Sequence, residues 1–268
     1  MLRPVITLTT DFGLSDSYAG QMKGAMLRIN PEAQFIDVTH GIPAQDVIRA
    51  AFMLDEIADV FPPGTIHVVV VDPGVGTERA ILGIEMNGWR FVAPNNGVLS
   101  IVAHRHQPQR IVQISDPKFW RTDVSATFHG RDIMGPVAAH WSLGVDLSEF
   151  GSTLPEPLSE LPIPTPRTTG DCIEGEVLYC DTFGNLITNI DETLLPTQRD
   201  RLTVEIAARM IEGIRRCYGD GSPGELLALI GSQGKLEISV NGGSAAAACA
   251  ASAGSPVRVI GSQAHGNE

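Results

Sequence analysis

The sequence predicts an α/β protein: an N-terminal domain with a largely parallel sheet and helices, followed by a smaller, mostly β C-terminal domain. Three observations carry this. Strand-like and helix-like stretches alternate from Pro4 to Leu143, the pattern of a covered parallel sheet. The run Val68–Val71 is apolar and β-branched throughout, which suits a strand buried on both faces. The texture changes at "LPEPLSELPIPTP", where Pro155, Pro157, Pro162, Pro164 and Pro166 forbid a continuous helix. That segment, 155–168, reads as a linker between a domain at 1–154 and one at 169–268.

In chain order, Pro4–Thr10 forms the first strand, and Tyr18–Ile29 places Met22, Met26 and Ile29 on one helical face. Phe35–Val38 is a second strand, and a helix from about Ala44 to Phe61 stops at Pro62-Pro63. Ile66–Val71 is the third strand. Ala80–Met86 and Arg90–Ala93 pair through an Asn87-Gly88 turn, and a further helix runs from near Gly130 to Leu143. Past the linker, Cys172–Cys180, Leu186–Ile190, Leu202–Ala207, Lys235–Val240 and Pro256–Ile260 are strand-like. The Ala-rich Ser244–Gly254 stretch makes a short helix or turn beside the last of them.

Composition narrows the function. The 268 residues are 43% apolar, enough for a full core. Lys and Arg number 19 against 31 Asp and Glu, a formal charge of −12, and no basic run exceeds two residues. Phosphate-backbone binding needs concentrated positive charge, so no nucleic-acid partner is expected. The apolar patch before Asp11 is too short for a secretory signal, and no stretch approaches the roughly 18 apolar residues that span a bilayer. Cys172, Cys180, Cys217 and Cys249 lack ligand-like spacing and suggest reduced thiols in a cytoplasmic protein.

Candidate chemistry gathers at strand ends. Asp72 stands where the third strand leaves the sheet, followed by Pro73, Gly74 and Gly76, which fix the onward path. Asp11 ends the first strand, Asn95-Asn96-Gly97 follows another, and "FHGRD", Phe128–Asp132, precedes a helix. Open α/β sheets bind ligands at that edge, and several polar groups at neighbouring strand ends make a crevice. Structural readings stand beside these: Asp72 and Asp11 as caps of their own turns, Asn96-Gly97 as a type I′ turn, Asp132 as an N-terminal helix charge. The "DFG" at Asp11–Gly13 lacks a kinase's other motifs, and "GVGTER" lacks both dinucleotide-loop glycine spacing and a phosphate-loop lysine. The histidines at 40, 67, 104, 106, 129 and 140 form no HExxH, and no metal is expected.

The blocks "TTDFGLSDSYAG", "FPPGTIHVVVVDPGVGT", "FVAPNNGVLS", "TFHGRDIMGPVAAH", "DTFGNLITNI" and "GKLEISVNGGSAA" resemble, in order, the S-adenosyl-L-methionine hydroxide adenosyltransferase family, the hydrolase branch related to the fluorinase and chlorinase enzymes. The resemblance spans nearly the whole chain. It implies cleavage of S-adenosyl-L-methionine by water at ribose C5′, giving adenosine and L-methionine, with the S-adenosyl-L-methionine as substrate and no cofactor. The family's water-positioning Asp, Arg and His fall on Asp72, Arg79 and His129; the halogenase branch departs at the aspartate and histidine positions. By the same resemblance Asp11 holds the ribose 2′ and 3′ hydroxyls, and Asp181 and Asn185 hold the methionine ammonium. Ser232 and the backbone around Ser244 and Ala246 meet the carboxylate and adenine, while Phe128 and Phe183 line the pocket and Asn96 is a further substrate contact. "GSQG", with Gln233 after Ser232, departs from halogenase-like forms that carry an arginine there. The resemblance also implies a homotrimer with sites between subunits. A halide adenosyltransferase and a noncatalytic S-adenosyl-L-methionine or adenosine binding protein are the alternatives.

Overall fold

The computed structural model describes residues 4–261. The chain divides into two compact units, Met1–Leu161 and Pro162–Glu268.

The first unit is built on a seven-stranded mixed sheet ordered β2-β1-β3-β5-β4-β6-β7. Its strands are β1 (Val5–Thr10), β2 (Gln34–Thr39), β3 (Ile66–Val70), β4 (Ile81–Met86), β5 (Trp89–Pro94), β6 (Pro108–Ile114) and β7 (Gly151–Thr153). The half holding β2, β1, β3 and β5 is parallel, whereas β4, β6 and β7 extend it antiparallel. Every residue of β3 is buried because the sheet is covered on both faces. Val68 and Val70 point into a cluster with Met22 and Met26 of α1 (Tyr18–Leu27) and Val137, Ala138 and Trp141 of α4 (Gly135–Ser142). Val69 and the following Val71 point the other way, onto Ala50, Ala51 and Leu54 of α2 (Val47–Ile57) and Val102 of α3 (Ser100–Arg105). Each such side chain contributes on the order of 1.5–3 kcal/mol by leaving water.

Two helices begin later than their periodicity predicts, for different reasons. Gln45 adopts a left-handed backbone (φ 65°), which ends any helix reaching back to Ala44. Asp46 then caps α2 by accepting from the Arg49 amide at 2.9 Å. Ahead of α4, Gly130–Met134 forms one π-helical turn. Pro136 has no N–H to give the carbonyl four residues back, that of Asp132, which accepts from the Arg121 amide instead at 2.9 Å. Asn87 and Gly88 (φ 46° and 86°) join β4 to β5 as a type I′ turn. The proline-rich segment contains no helix, and its first part is anchored: Ser159 N–H donates to Asn95 Oδ1 at 2.9 Å and Ser159 Oγ to the Asn95 carbonyl at 3.1 Å.

The second unit is a nine-stranded, almost wholly antiparallel arrangement. It comprises β8 (Arg167–Thr169), β9 (Cys172–Cys180), β10 (Leu186–Asp191), β11 (Leu202–Ile206), β12 (Arg209–Glu212), β13 (Ile214–Arg215), β14 (Leu226–Ile230), β15 (Lys235–Val240) and β16 (Pro256–Gly261). Only β13 and β14 run parallel. Its core joins Ile173 and Val177 of β9, Leu186 and Ile190 of β10, Leu236 and Ile238 of β15 and Val257 and Val259 of β16. The Ala-rich stretch supplies one short helix, α5 (Ala245–Cys249), closed by Ala250 in the left-handed conformation. Among the described residues no helix is long and apolar enough to cross a membrane.

Candidate active site

β1 and β3 are parallel neighbours with Thr10 opposite Val70, so Asp11 and Asp72 leave the sheet side by side at its carboxyl edge. A cleft of about 200 Å³ opens there, lined by Asp11, Phe12, Gln45, Asp72, Phe128 and His129 together with Val70, Pro73, Val75, Thr127 and Gly130. No serine or cysteine is among these residues.

The turn after β3 brings Arg79 back onto Asp72. The Val75 amide donates to the Asp72 carbonyl at 3.1 Å, and the Thr77 amide and hydroxyl donate to the Gly74 carbonyl at 3.1 and 2.7 Å. Gly76 (φ 80°) has no substitute here, because a Cβ would lie 2.3 Å from the Ala126 carbonyl oxygen. Arg79 Nε then donates to Asp72 Oδ1 and Oδ2 at 3.0 and 2.9 Å, and Nη2 donates to Oδ2 as well. The same Nη2 reaches His129 Nδ1 at 2.8 Å. Both side chains of the ion pair are withdrawn from water, Asp72 at 4% and Arg79 at 11% exposure. Because guanidinium is always protonated, Nδ1 accepts, and a neutral His129 carries its proton on Nε2. Burial lowers the His129 pKa below its ordinary value, and the Arg79 charge lowers it further, against the opposing pull of Asp72 and Asp132.

Asp11 accepts from the Gln45 amide through Oδ2 at 2.8 Å, a bond that depends on the left-handed backbone at Gln45. Behind it, the Thr10 hydroxyl meets His40 Nδ1 at 2.8 Å and the Gly13 amide donates to the His40 carbonyl at 2.7 Å, fixing the first turn after β1. Phe128 stands edge-on to Phe12 and Tyr18, with centroids 5.5 and 5.3 Å away, and the Arg131 guanidinium lies 4.8 Å from its ring centre. Asn96 has a different place. Its amide donates to the Val71 carbonyl at 2.9 Å and its carbonyl accepts from the Val98 amide at 3.2 Å, so it braces the end of β3 outside the cleft lining. Its backbone is not the left-handed one of a type I′ turn; only Gly97 has positive φ. Asp132, read from sequence as a helix-end charge, is fully buried between arginines.

In the second unit, the Asp181–Asn185 turn and the start of α5 come together. Asp181 Oδ1 accepts from the Phe183 and Asn185 amides at 2.9 and 2.8 Å, and Oδ2 from Asn185 Nδ2 at 2.9 Å. Ser244 caps α5 through the Ala247 amide at 3.2 Å, and the Ala246 amide donates to the Gly184 carbonyl at 3.0 Å. Gly184 (φ 86°) is required, since a Cβ would sit 2.1 Å from Ser244 Oγ. Phe183 projects from the turn, 78% exposed. Ser232 does not join this group: it lies in the β14–β15 hairpin, whose Gly234 carbonyl accepts from the Glu192 amide at 2.7 Å beyond the opposite end of β10. Sequence reasoning also passed over Glu237 on β15, which is buried and accepts from Tyr218 and Ser239 hydroxyls at 2.8 Å each. Burial first, then the Glu237 hydrogen bond and the charges of Glu237 and Asp181, push the Tyr218 phenol up to about 12. Among the described residues no group of three or more His, Cys, Asp or Glu side chains is arranged to hold a metal ion.

A parallel-edge cleft carrying an Asp–Arg–His cluster, in a chain with a separate β unit, defines a polar-site α/β protein of the kind that handles small ligands at strand ends. The chain belongs to the S-adenosyl-L-methionine hydroxide adenosyltransferase family: the family's N-terminal domain matches residues 6–151 and its C-terminal domain residues 175–258. A protein of Salinispora tropica named (R)-S-adenosyl-L-methionine hydrolase is 38% identical, covering 96% of this chain and 97% of its own. One of the same name from Thermus thermophilus is 37% identical over 97% of this chain and 100% of its own. A crystal structure of a conserved protein from Thermotoga maritima superposes with a TM-score of 0.89 at 36% identity, covering 95% of this chain and 99% of that one. A fluorinase from an Actinoplanes species is more distant, 29% identical over 71% of this chain and 72% of its own.

Proposed function

We propose that this protein hydrolyses (R)-S-adenosyl-L-methionine, the activity its relatives are named for, and that the cut falls at ribose C5′ to give adenosine and L-methionine. One observation carries the reading beyond family membership: a single guanidinium, Arg79, holds Asp72 through three contacts and His129 through a fourth beside the cleft. The sulfonium of the substrate makes methionine a good leaving group, so the demand falls on the water. Water attacks C5′ opposite sulfur; the C5′–O bond forms, the C5′–S bond breaks, and its electron pair leaves on methionine's neutral thioether. Asp72 Oδ1, with one Arg79 contact against two at Oδ2, accepts a hydrogen bond from the water and orients it. His129, its Nδ1 filled by Arg79, has Nε2–H to give to the water oxygen. The water's surplus proton passes to solvent as the C5′–O bond forms, and the Arg79 charge favours the hydroxide-like character the oxygen gains as that proton leaves.

The remaining contacts follow the same reading. Asp11 has one oxygen engaged by Gln45 and offers the other to the ribose diol. Asp181 and Asn185 are assigned to the ammonium, with Asp181 Oδ2 the less occupied oxygen. Phe128 and Phe183 are assigned to pocket walls, and Ser244 and Ala246 to the carboxylate and adenine; Ser232, at the other end of β10 from the Asp181 turn, is left out of that group. No cofactor takes part; S-adenosyl-L-methionine is the substrate. We assign the protein to the cytoplasm, in keeping with four free cysteines, and to a cyclic homotrimer, which sedimentation tests directly.

The deciding experiment is turnover in ¹⁸O-enriched water with chloride present. Label enters the 5′ hydroxyl of adenosine, leaves the methionine carboxylate untouched, and no chlorinated nucleoside forms. Unlabelled adenosine, or a halogenated product in quantity, would overturn the assignment.

A further inference from the structure

The geometry points to Asp132 as the positioning residue for His129: its side chain and its carbonyl together close the segment that carries the histidine into the cleft. This inference rests on the hydrolase reading for its kinetic consequence and on hydrogen bonding for its origin.

Asp132 is a charged side chain with no solvent exposure. Its Oδ1 accepts from Arg131 Nε at 2.7 Å and lies 3.3 Å from Arg121 Nη1. Its Oδ2 accepts from Arg131 Nη2 and from the Ser125 amide, each at 2.9 Å. Its carbonyl, released from helical duty by Pro136, takes the Arg121 amide at 2.9 Å. One residue thus ties down both Arg121 and Ser125. Between Ser125 and Asp132 lie Thr127, Phe128, His129 and Gly130, all of them cleft residues. The closed segment sits against the catalytic turn, with the Ala126 carbonyl where a Cβ of Gly76 would be. Arg131 extends the clamp by donating from Nη1 to Gln21 Oε1 on α1 at 3.0 Å.

Stability alone does not account for this arrangement. A buried ion network is often matched or bettered by apolar residues of similar volume, because desolvation consumes most of the attraction. Its distinctive effect is directional: a carboxylate with four donors around it admits one path for the backbone that supplies them. That path sets the 2.8 Å approach of His129 to Arg79. The charges acting on His129 are Arg79, Asp72 and Asp132 itself, and burial with Arg79 lowers its pKa while the two aspartates oppose them. Removing Asp132 therefore moves the imidazole as well as its titration.

The test is a double-mutant cycle on steady-state hydrolysis of S-adenosyl-L-methionine, with adenosine quantified and folded protein measured by circular dichroism. Asp132→Asn is expected to lower kcat roughly 10- to 100-fold, the scale of a misplacement near 1 Å, with KM within about threefold. In a His129→Asn background the same change adds less than about twofold, because the route through the histidine is already gone. The His129 ring signals titrate at lower pH in Asp132→Asn than in the wild type. Independent, multiplicative losses in the double variant would overturn the inference, as would a lower Tm with unchanged kcat for the folded protein. If Asp132→Asn does not fold, Arg131→Lys, which keeps the charge but loses the fork, shows the same pattern at smaller size, and unchanged kcat there is equally fatal. Wild-type protein that makes no adenosine defeats the hydrolase reading, and the His129 titration then remains the test of the coupling.

Discussion

Replacing Asp72 by asparagine separates orientation of the water from binding of the nucleoside. The wild-type carboxylate takes three contacts from Arg79 and is 4% exposed. An amide of the same size has one oxygen; if that oxygen keeps the two Arg79 N–H groups, its NH2 replaces Oδ1 and the water loses its acceptor, and the charge balancing Arg79 disappears in either orientation. Hydrogen bonds to charged groups are worth about 1.5–3 kcal/mol each, and an acid–base partner of the reacting water about 10²–10⁴ in rate. Kcat should therefore fall by about two to four powers of ten, roughly 3–5 kcal/mol of lost transition-state stabilisation. The sign at His129 is also fixed. Asp72 raises the histidine's pKa against burial and Arg79, so its loss keeps the ring neutral to lower pH and shifts the acid limb of the residual activity downward. Adenosine affinity by calorimetry should stay within about threefold, the pattern of an interaction made mainly in the transition state. Kcat within about threefold of wild type, or adenosine binding abolished in folded protein, would refute the placement of Asp72 beside the water.

Two further perturbations bear on the elements that hold the site. Asp11→Ala removes the proposed ribose acceptor and should weaken adenosine binding about 10- to 100-fold, whereas Gln45→Gly keeps the amide bond to Asp11, relieves the left-handed backbone and should leave affinity within about twofold with Tm unchanged or raised. Equal losses in both variants by calorimetry would show that the Gln45 side chain, not its amide, matters. His67 on β3 is fully buried, meets the Thr7 hydroxyl at 2.8 Å and stacks on Phe91, and burial pushes its pKa down to about 4. A histidine neutral in the fold and basic when unfolded contributes its full stability above its ordinary 6.5 and loses it as pH falls toward 4, up to about 3 kcal/mol. Urea midpoints of wild type and His67→Phe at pH 7.5 and 4.5 measure this; identical pH dependence in the two proteins would contradict it.

What the sequence disclosed of this site follows the distance over which its contacts act. The strand ending at Asp72 is legible because burial on both faces leaves an unbroken β-branched run, and the turn is legible because proline and glycine announce it. Arg79 is only seven residues away, so one tight turn brings it home. His129 is fifty residues from Arg79, and no spacing rule links them; only the family resemblance put them together. The textures of both units were likewise readable, while β7, β8 and β13, of two or three residues each, are too short to show any period. Asp132 does stand in the first turn of its helical segment, as the sequence suggests, but its burial was not legible, because the Arg121 and Ser125 groups that enclose it lie upstream in a loop without periodicity. Gln45 is similar, since a non-glycine residue at φ 65° follows from no propensity and is held there by the bond it gives Asp11. Ser232 entered as a substrate contact by the resemblance alone, and strand pairing sets its hairpin at the end of β10 away from the Asp181 turn, a placement no local signal announces. Asp132 and Gln45 depart from their local rules beside the cleft, where strain and buried charge are tolerated because they fix a side chain that the chemistry needs fixed.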